Sequence, residues 1–336
     1  MIAATKEYFA EAWEAWSDFW FAPSSPTTLS AIRVLAGAML LYTHLIWSMG
    51  LTDFFGENGW LPQTLMHEVQ SNSDPDGPGP ITAPVRFMWT HFDYVHAPKL
   101  MWTIHVCALV VFFLLMIGFF SRTMAALGFL FAVSYANRIT PGAYFGLDKI
   151  NCMLALYLIV GPCGARYSID RLWRMRKGNT EVPATSGANL AIRLIQVHMC
   201  IIYLFSGIGK MEGMPWVMGE ASWMSFDLAE YRSLDMTWML NHPLILNFMT
   251  HVTVFWELSY CALVWPRLTR PWVLGMAVLV HGGIILALGM PTFGLVMLIG
   301  NLAFISPKTV RKFFDPLARR VSLAVVGKAT RAGASD

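Results

Sequence analysis

Charged side chains are scarce in this chain, and several patterns that mark soluble enzymes do not occur in it. Asp, Glu, Lys and Arg make up 13% of the 336 residues, whereas hydrophobic residues make up 56%. The sequence contains no glycine-rich phosphate loop and no GxSxG or HExxH pattern, which disfavours ATP-driven transport and hydrolytic functions. The composition therefore indicates a membrane protein, not a soluble domain.

The five cysteines do not have the spacing of metal ligands. Four of them, Cys107, Cys152, Cys200 and Cys261, lie inside apolar runs, and Cys163 lies at the end of one. We expect these residues to pack as small apolar side chains and not to form a disulfide framework. No metal cofactor is predicted.

Apolar runs separated by Gly and Pro predict an all-α fold, a polytopic membrane helix bundle of about eight transmembrane helices plus an N-terminal interfacial helix. Three of the runs are short for a full crossing. The predicted spans are Leu29–Met49, Leu100–Phe120, Thr123–Ile139, Ile150–Gly161, Leu190–Gly209, Leu244–Trp265, Trp272–Leu288 and Thr292–Ile305.

We divide the chain into an amphipathic N-terminal helix over 1–28, a transmembrane domain over 29–307 and a basic tail over 308–336. On a helix, Phe9, Trp13, Trp16 and Trp20 form one stripe, which suits a position in the membrane interface. A helix that packs against the bundle is the alternative interpretation.

The distribution of basic residues predicts the orientation. Alternate connections starting from residues 1–28 hold sixteen Lys and Arg, and the other connections hold four. Because basic loops stay in the cytoplasm, we expect both termini to be cytoplasmic and Lys210 to face the other side. We predict an integral, multi-pass membrane protein of a bacterial inner membrane, with the lipid bilayer as partner.

Polar residues inside the apolar runs are the candidate functional residues. A lysine at the edge of hydrocarbon is costly unless it is paired, hydrated or neutral, and Lys210 ends the fifth span. Gln196, Tyr203, Gly207 and Lys210 follow one another at intervals of 7, 4 and 3 residues, so they share one helical face. We expect this face to point into the bundle or a cavity.

Other spans add an acid, a histidine and a second lysine. Glu257 lies in the sixth span, His281 in the seventh, and Asp148 and Lys149 open the fourth. In such surroundings a neutral, basic Lys210 at neutral pH is physically accessible. The candidate catalytic residues are Lys210, Glu257 and His281, and the candidate ligand-binding residues are Gln196, Tyr203, Asp148 and Lys149.

Each of these residues also has a structural interpretation. Lys210 could extend to the interface as an anchor, with Glu212 as a surface partner. Glu257 could form a structural ion pair or hydrogen bond with Arg33 or Arg193. His281 could be a hydrogen-bonded core histidine.

Four segments resemble successive blocks of the HTTM family, the membrane domain shared with vitamin K-dependent gamma-carboxylase. They read FGLDKINCMLALYLIVGPCGARYSIDRL, SGIGKMEGMPWVMGEASW, FWELSYCALVWPRLTRPWVL and LVHGGIILALGMPTFGLVML. The earlier IRVLAGAMLLY and FFGENGWLP are similar to the family's first span and the following loop. The resemblance covers roughly Ser30–Pro307.

The resemblance implies roles that composition alone does not give. Lys210 matches the lysine regarded as the base that deprotonates reduced vitamin K, and His281 matches a histidine of the penultimate span. Many relatives have the motif GGDH where this chain reads GLDK. Either Lys149 or Asp148 therefore stands at the position of the histidine in that motif.

The implied ligand is reduced vitamin K or another prenylated quinol, and the implied reaction is carboxylase-like or quinol-oxidising, although whether the chain is an enzyme is left open. A non-enzymatic membrane component that handles or matures a secreted peptide is the alternative function. A peptide or protein substrate is compatible with both functions, and no nucleic-acid partner is expected.

Overall fold

The computed structural model describes residues 2–66, 89–138, 145–231 and 233–318. Within these ranges the chain forms helices and no β-strand, apart from an isolated bridge between Ser24 and Thr185. The all-α prediction is therefore confirmed. The residues of the basic tail after 318 lie outside the described part of the chain.

Nine helices of eleven or more residues lie between Ile2 and Asn301 in the described ranges. They are α1 Ile2–Phe21, α2 Thr27–Trp47, α3 Pro98–Ile117, α4 Ser121–Asn137, α5 Gly146–Val160, α6 Ser186–Met211, α7 Pro243–Leu263, α8 Arg270–Ala287 and α9 Pro291–Asn301. Shorter helices cover Leu51–Phe55, Ile169–Arg176, Met214–Val217 and Ala221–Asp227, and 3₁₀ turns cover Ser48–Gly50, His91–Asp93, Thr237–Asn241 and Leu302–Phe304. A further helix follows over 307–318.

Helices α2 to α9 correspond one to one to the eight predicted apolar runs. Four helical stretches of the described ranges are long and apolar enough to cross a membrane: Thr27–Phe55, Pro98–Ile117, Ser186–Met211 and Arg270–Ala287. The first of them comprises α2 and the two short helical elements that follow it. The total of eight crossings therefore stays a prediction. Proline opens several of the helices, because its missing N–H costs nothing in the first helical turn.

Helix α5 occupies the middle of the bundle and packs against α2, α4, α6 and α9. The pairs α2–α3, α6–α7 and α8–α9 pack along their lengths. Small residues such as Ala36, Ala125, Ala155 and Ala191 are fully buried at these contacts. Small side chains let helix backbones approach closely, which is how helices associate in lipid.

Helix α1 is attached to the bundle at its C-terminal end. The backbone oxygen of Phe19 accepts hydrogen bonds from Asn189 Nδ2 at 2.9 Å and Arg193 Nε at 3.0 Å, both on α6. Phe9 and Trp13, earlier in α1, are 66% and 72% exposed. An exposed aromatic stripe on an anchored helix is compatible with the predicted interfacial position.

Arg33 of α2 connects the end of α3 to the segment that follows α5. Its side chain is fully buried and donates to the backbone oxygens of Leu115 at 2.6 Å, Met116 at 2.8 Å, Tyr167 at 2.5 Å and Cys163 at 3.2 Å. The carbonyls at the end of a helix have no partner within that helix, so Arg33 supplies the missing donors. A Cβ on Gly118, which ends α3 at a φ of +74°, would lie 2.5 Å from Arg33 Nη1.

The segment that follows α5 also contacts the helix over 307–318. The Tyr167 hydroxyl donates to Asp315 Oδ1 at 2.7 Å. Burial, together with this carboxylate, raises the pKa of Tyr167, so the phenol stays a neutral donor at physiological pH. This contact holds the C-terminal helix against the end of the bundle where α3 and α5 end.

Replacing Arg33 by Met should destabilise the protein strongly, because four carbonyls lose their hydrogen bond to the guanidinium together. We expect the free energy of unfolding in detergent to fall by about 3 kcal/mol or more. Thermal unfolding followed by circular dichroism measures the change. Arg176→Met is the control, because Arg176 is exposed on the same end of the bundle. Equal stability of the two variants would contradict the role given to Arg33.

Candidate functional site

Lys210 forms an ion pair with Glu257 of the neighbouring helix. Its Nζ lies 2.8 Å from Glu257 Oε2 and 3.0 Å from Oε1, and 2.6 Å from the hydroxyl oxygen of Ser206. An ammonium has three N–H donors, and each has an acceptor in this arrangement. Glu257 is 7% exposed, so Lys210 partners a buried carboxylate. The surface partner Glu212 and the alternative partners Arg33 and Arg193 of Glu257 are not used.

A glycine allows the two helices to come close enough for this pair. Gly207 lies one turn before Lys210 on α6, and a Cβ there would lie 2.9 Å from the side chain of Leu258 on α7 and 3.1 Å from its backbone nitrogen. Contacts this short are not tolerated, so a larger residue would push α6 and α7 apart.

His281 belongs to a buried hydrogen-bond network at the same level of the bundle. Its Nε2 lies 2.7 Å from the Tyr203 hydroxyl. Asn301 Nδ2 donates to that hydroxyl at 2.9 Å, and Asn301 Oδ1 accepts from the Tyr260 hydroxyl at 2.6 Å. The network joins α6, α7, α8 and α9, and each of its four side chains is at most 5% exposed.

The network favours one tautomer of a neutral His281. The Tyr203 oxygen accepts from Asn301, and donation of its own proton to His281 Nε2 gives that proton an acceptor within the network. The ring proton of a neutral His281 then lies on Nδ1. This atom is buried and has no hydrogen-bond partner among the described residues. An unpartnered buried polar atom is costly, and a ligand oxygen or a water can reach this one only if the neighbouring side chains shift, because almost none of its surface is open.

The Lys210–Glu257 ion pair and the Tyr203–His281 pair line one cavity of about 600 Å³. The side chains on its wall are mostly apolar, and the polar exceptions include Lys149, Tyr203, Lys210, Glu257 and His281. A space of this size with a few convergent polar groups is typical of a binding site for a small molecule.

The cavity reaches the outside of the bundle between α7 and α8. Phe248 of α7 and Leu279 of α8 line the cavity, and each is 67% exposed. Gly283, one turn beyond Leu279, also lines it, and a Cβ at this position would meet no atom within 4 Å. The exposed sides of these helices are apolar, so the opening faces the region that lipid occupies around a membrane bundle.

Two predicted binding residues lie away from the cavity. Gln196 is 14 residues before Lys210, which corresponds to about 21 Å along a helix. It donates to the backbone oxygen of Ala303 at 2.8 Å and accepts from Arg193 at 3.0 Å. Asp148 accepts from the backbone N–H of Phe145 at 2.8 Å and so caps the start of α5. Both side chains have structural contacts.

The cavity also contains residues that the sequence analysis did not select. Ser206 binds Lys210 directly, and Trp216 lies with its ring centre 5.1 Å from Lys210 Nζ. His198 lines the cavity and hydrogen-bonds the Tyr157 hydroxyl at 2.9 Å. Ser206 precedes Lys210 by four residues, a spacing at which helical side chains meet, so the sequence contained this information.

The family model of the HTTM domain matches residues 80–308, which include Lys210, Glu257 and His281. The chain belongs to the HTTM family. The sequence resemblance to this family is thereby confirmed, and with the apolar helices of the bundle it identifies a membrane protein. No curated protein and no solved structure matches this HTTM chain.

In this HTTM protein, replacing Glu257 by Leu should leave a lysine without its counter-charge. We expect the free energy of unfolding in detergent to fall by about 3–5 kcal/mol. The double variant Lys210→Met/Glu257→Leu should regain most of that loss, because a buried ion pair can be replaced by apolar side chains at little cost.

Glu212→Leu is the matched control, since Glu212 is exposed two residues from Lys210 and should change stability by less than about 0.5 kcal/mol. Chemical denaturation curves of the wild type, these three variants and the single variant Lys210→Met give the comparison. Additive losses in the double variant would show that Lys210 and Glu257 do not depend on each other.

Proposed function

We propose that this HTTM protein binds a prenylated quinol or quinone in the cavity beside Lys210, Glu257 and His281. The observation that carries the proposal is the combination of the Lys210–Glu257 ion pair and His281 on the wall of an apolar cavity that opens between α7 and α8. A ligand that reaches the site through this opening must be soluble in lipid.

The lining residues fit the ring system of such a ligand. Apolar side chains including Val252, Val280, Ile284, Phe293 and Met297 form most of the wall. Aromatic and aliphatic walls favour a flat apolar ring, and the volume of about 600 Å³ lies within the range of small-molecule sites. A prenyl tail can leave through the opening beside Phe248 and Leu279 into the surrounding lipid.

The polar groups fit the oxygens of the ring. His281 Nδ1–H is a donor without a partner among the described residues, and a carbonyl or phenolic oxygen of the ligand is a suitable acceptor once the side chains that cover Nδ1 shift. Tyr203 holds His281 in this tautomer, because its hydroxyl proton is directed at Nε2. Tyr203 is therefore a positioning residue in this proposal.

Lys210 and Glu257 are the groups that transfer protons in this proposal. Moving one proton from Lys210 Nζ to Glu257, across 2.8 Å, converts the ion pair into an amine and a carboxylic acid without changing the net charge. Apolar surroundings penalise separated charges more than neutral groups, so this form is accessible in the cavity. The amine nitrogen can then accept a phenolic proton and become an ammonium again, while the proton on Glu257 stays in place.

A bound quinol would supply an acidic phenol and, after losing its proton, a ring that reacts readily with oxygen. In the carboxylase that the sequence resembles, this chemistry precedes carboxylation of a glutamate. The apolar wall of the cavity excludes water, which protects a strong base from being quenched. We extend to this chain the binding and proton-transfer steps.

Binding of a prenylated naphthoquinone tests the proposal. Trp216 lines the cavity, so quenching of tryptophan fluorescence in the detergent-purified protein reports occupancy. Gly283→Leu places a side chain in open space at the mouth of the cavity, where it obstructs the ligand, and should weaken binding about ten-fold, which corresponds to about 1.4 kcal/mol. Gly275→Leu is the control, because Gly275 lies on the same helix in open space and does not line the cavity.

Lys210→Arg separates binding from proton transfer. Arginine keeps the positive charge but cannot act as a base at neutral pH. We expect this variant to bind a prenylated naphthoquinol under anaerobic conditions without the absorbance change that accompanies loss of the phenolic proton.

Three outcomes would contradict the quinone proposal: no quenching by the wild type, equal quenching by both glycine variants, or full deprotonation by Lys210→Arg. An absence of naphthoquinone binding by the wild type would favour the alternative function, the handling of a secreted peptide.

We also propose that both termini face the cytoplasm and that the membrane is a bacterial inner membrane. The support is the excess of Lys and Arg in the connections on the side of the Arg166–Lys177 segment. In a cysteine-free background, cysteines introduced at Glu57 and Lys177 should be labelled from opposite sides by a membrane-impermeant maleimide. Labelling of both from one side would overturn this orientation.

A further inference from the structure

A second concave site lies at the end of the bundle where α3 and α5 end and α4 begins. Its volume is about 400 Å³, and it shares no lining residue with the cavity around Lys210. The start of α4, the turn around Gly164 and the short helix Ile169–Arg176 with the following Lys177 form its walls. The quinone proposal does not involve these residues.

Three of the lining residues are cations: Arg122, Arg174 and Lys177. All three are exposed. Arg122 Nε donates to the backbone oxygen of Ile159 at 3.0 Å, and Arg174 donates to the backbone oxygens of Asp170 and Gly164. A guanidinium has five N–H donors, so most of those on both arginines have no acceptor among the described residues.

The acid in this site is already used by the backbone of α4. Asp170 Oδ1 accepts from the Phe120 N–H at 2.8 Å, and its Oδ2 accepts from the Ser121 N–H at 2.8 Å and the Ser121 hydroxyl at 2.6 Å. The carboxylate thus caps the start of a helix and is not paired with the cations. A Cβ on Gly164 would lie 2.8 Å from Ser121 Cβ, so the turn approaches the start of α4 closely.

An apolar strip runs from this basic site along the bundle. Phe120 and Trp173 line the site and are 52% and 50% exposed, and Leu127 and Leu130 of α4 continue as exposed side chains on the same face. Helix ends with tryptophan are typical of the boundary between hydrocarbon and headgroups. A ligand that fits both features carries an anionic group and a hydrocarbon chain.

We propose that this site binds the phosphate headgroup of an anionic phospholipid such as phosphatidylglycerol. The phosphate oxygens accept from Arg122, Arg174 and Lys177, and an acyl chain lies along Leu127 and Leu130. Basic pockets at the ends of transmembrane helices recognise anionic headgroups through this combination of charge and position. A soluble phosphate would not use the apolar strip.

The test is retention of phosphatidylglycerol by the detergent-purified protein, measured by native mass spectrometry during titration against phosphatidylcholine. The site variant is Arg122→Gln/Arg174→Gln/Lys177→Gln. The matched control Arg176→Gln/Arg311→Gln/Lys312→Gln removes the same charges from exposed positions outside the site. We expect the site variant to bind phosphatidylglycerol at least about ten-fold more weakly and the control to stay within about two-fold of the wild type.

Because Arg122 and Arg174 also bind backbone carbonyls, Lys177→Gln alone is a second variant that keeps those contacts. It should still lose affinity for phosphatidylglycerol while melting at the wild-type temperature. Equal loss in the site variant and its control would show that general surface charge attracts the lipid, and unchanged affinity in both site variants would show that the site does not bind it. Displacement of the lipid by millimolar glycerol phosphate would assign the site to a soluble phosphate compound.

Discussion

The ion pair between Lys210 and Glu257 is the contact on which the candidate site depends. A charged group inside an apolar bundle needs a partner, because separating it from water costs several kcal/mol. Glu257 and Ser206 together provide acceptors for all three N–H groups of the lysine. The pair fixes the relative position of α6 and α7 at the level where the cavity lies, and Gly207 permits the approach that the pair requires.

The network around Tyr203 complements this pair. The ion pair supplies groups that can exchange a proton, whereas Tyr203, Asn301 and Tyr260 hold His281 in one orientation with an unused donor. In the proposed function Lys210 accepts the phenolic proton and His281 donates a hydrogen bond, while the rest of the cavity wall is mostly apolar. This division of roles is what binding and deprotonation of a lipid-soluble phenol require.

Local patterns predicted much of this architecture, and long-range contacts account for the rest. Proline and glycine mark the helix ends in the sequence, so each predicted apolar run corresponds to a helix, and the shared face of Tyr203, Gly207 and Lys210 follows from helical geometry. Periodicity places Gln196 on that face too, but it cannot show that about 21 Å separates it from Lys210 or that Ala303 binds it. The partner of Glu257 depends on which helices are neighbours, and a single sequence with three candidate cations does not contain that information.

The amount of prenylated quinone that stays bound during purification tests the proposed function most directly. Solvent extraction of the purified wild-type protein, followed by mass spectrometry, measures the prenylated quinone that remains bound. We expect a prenylated quinone in an amount approaching one molecule per chain. An extract with no more quinone than that of an unrelated membrane protein purified in the same way would contradict it.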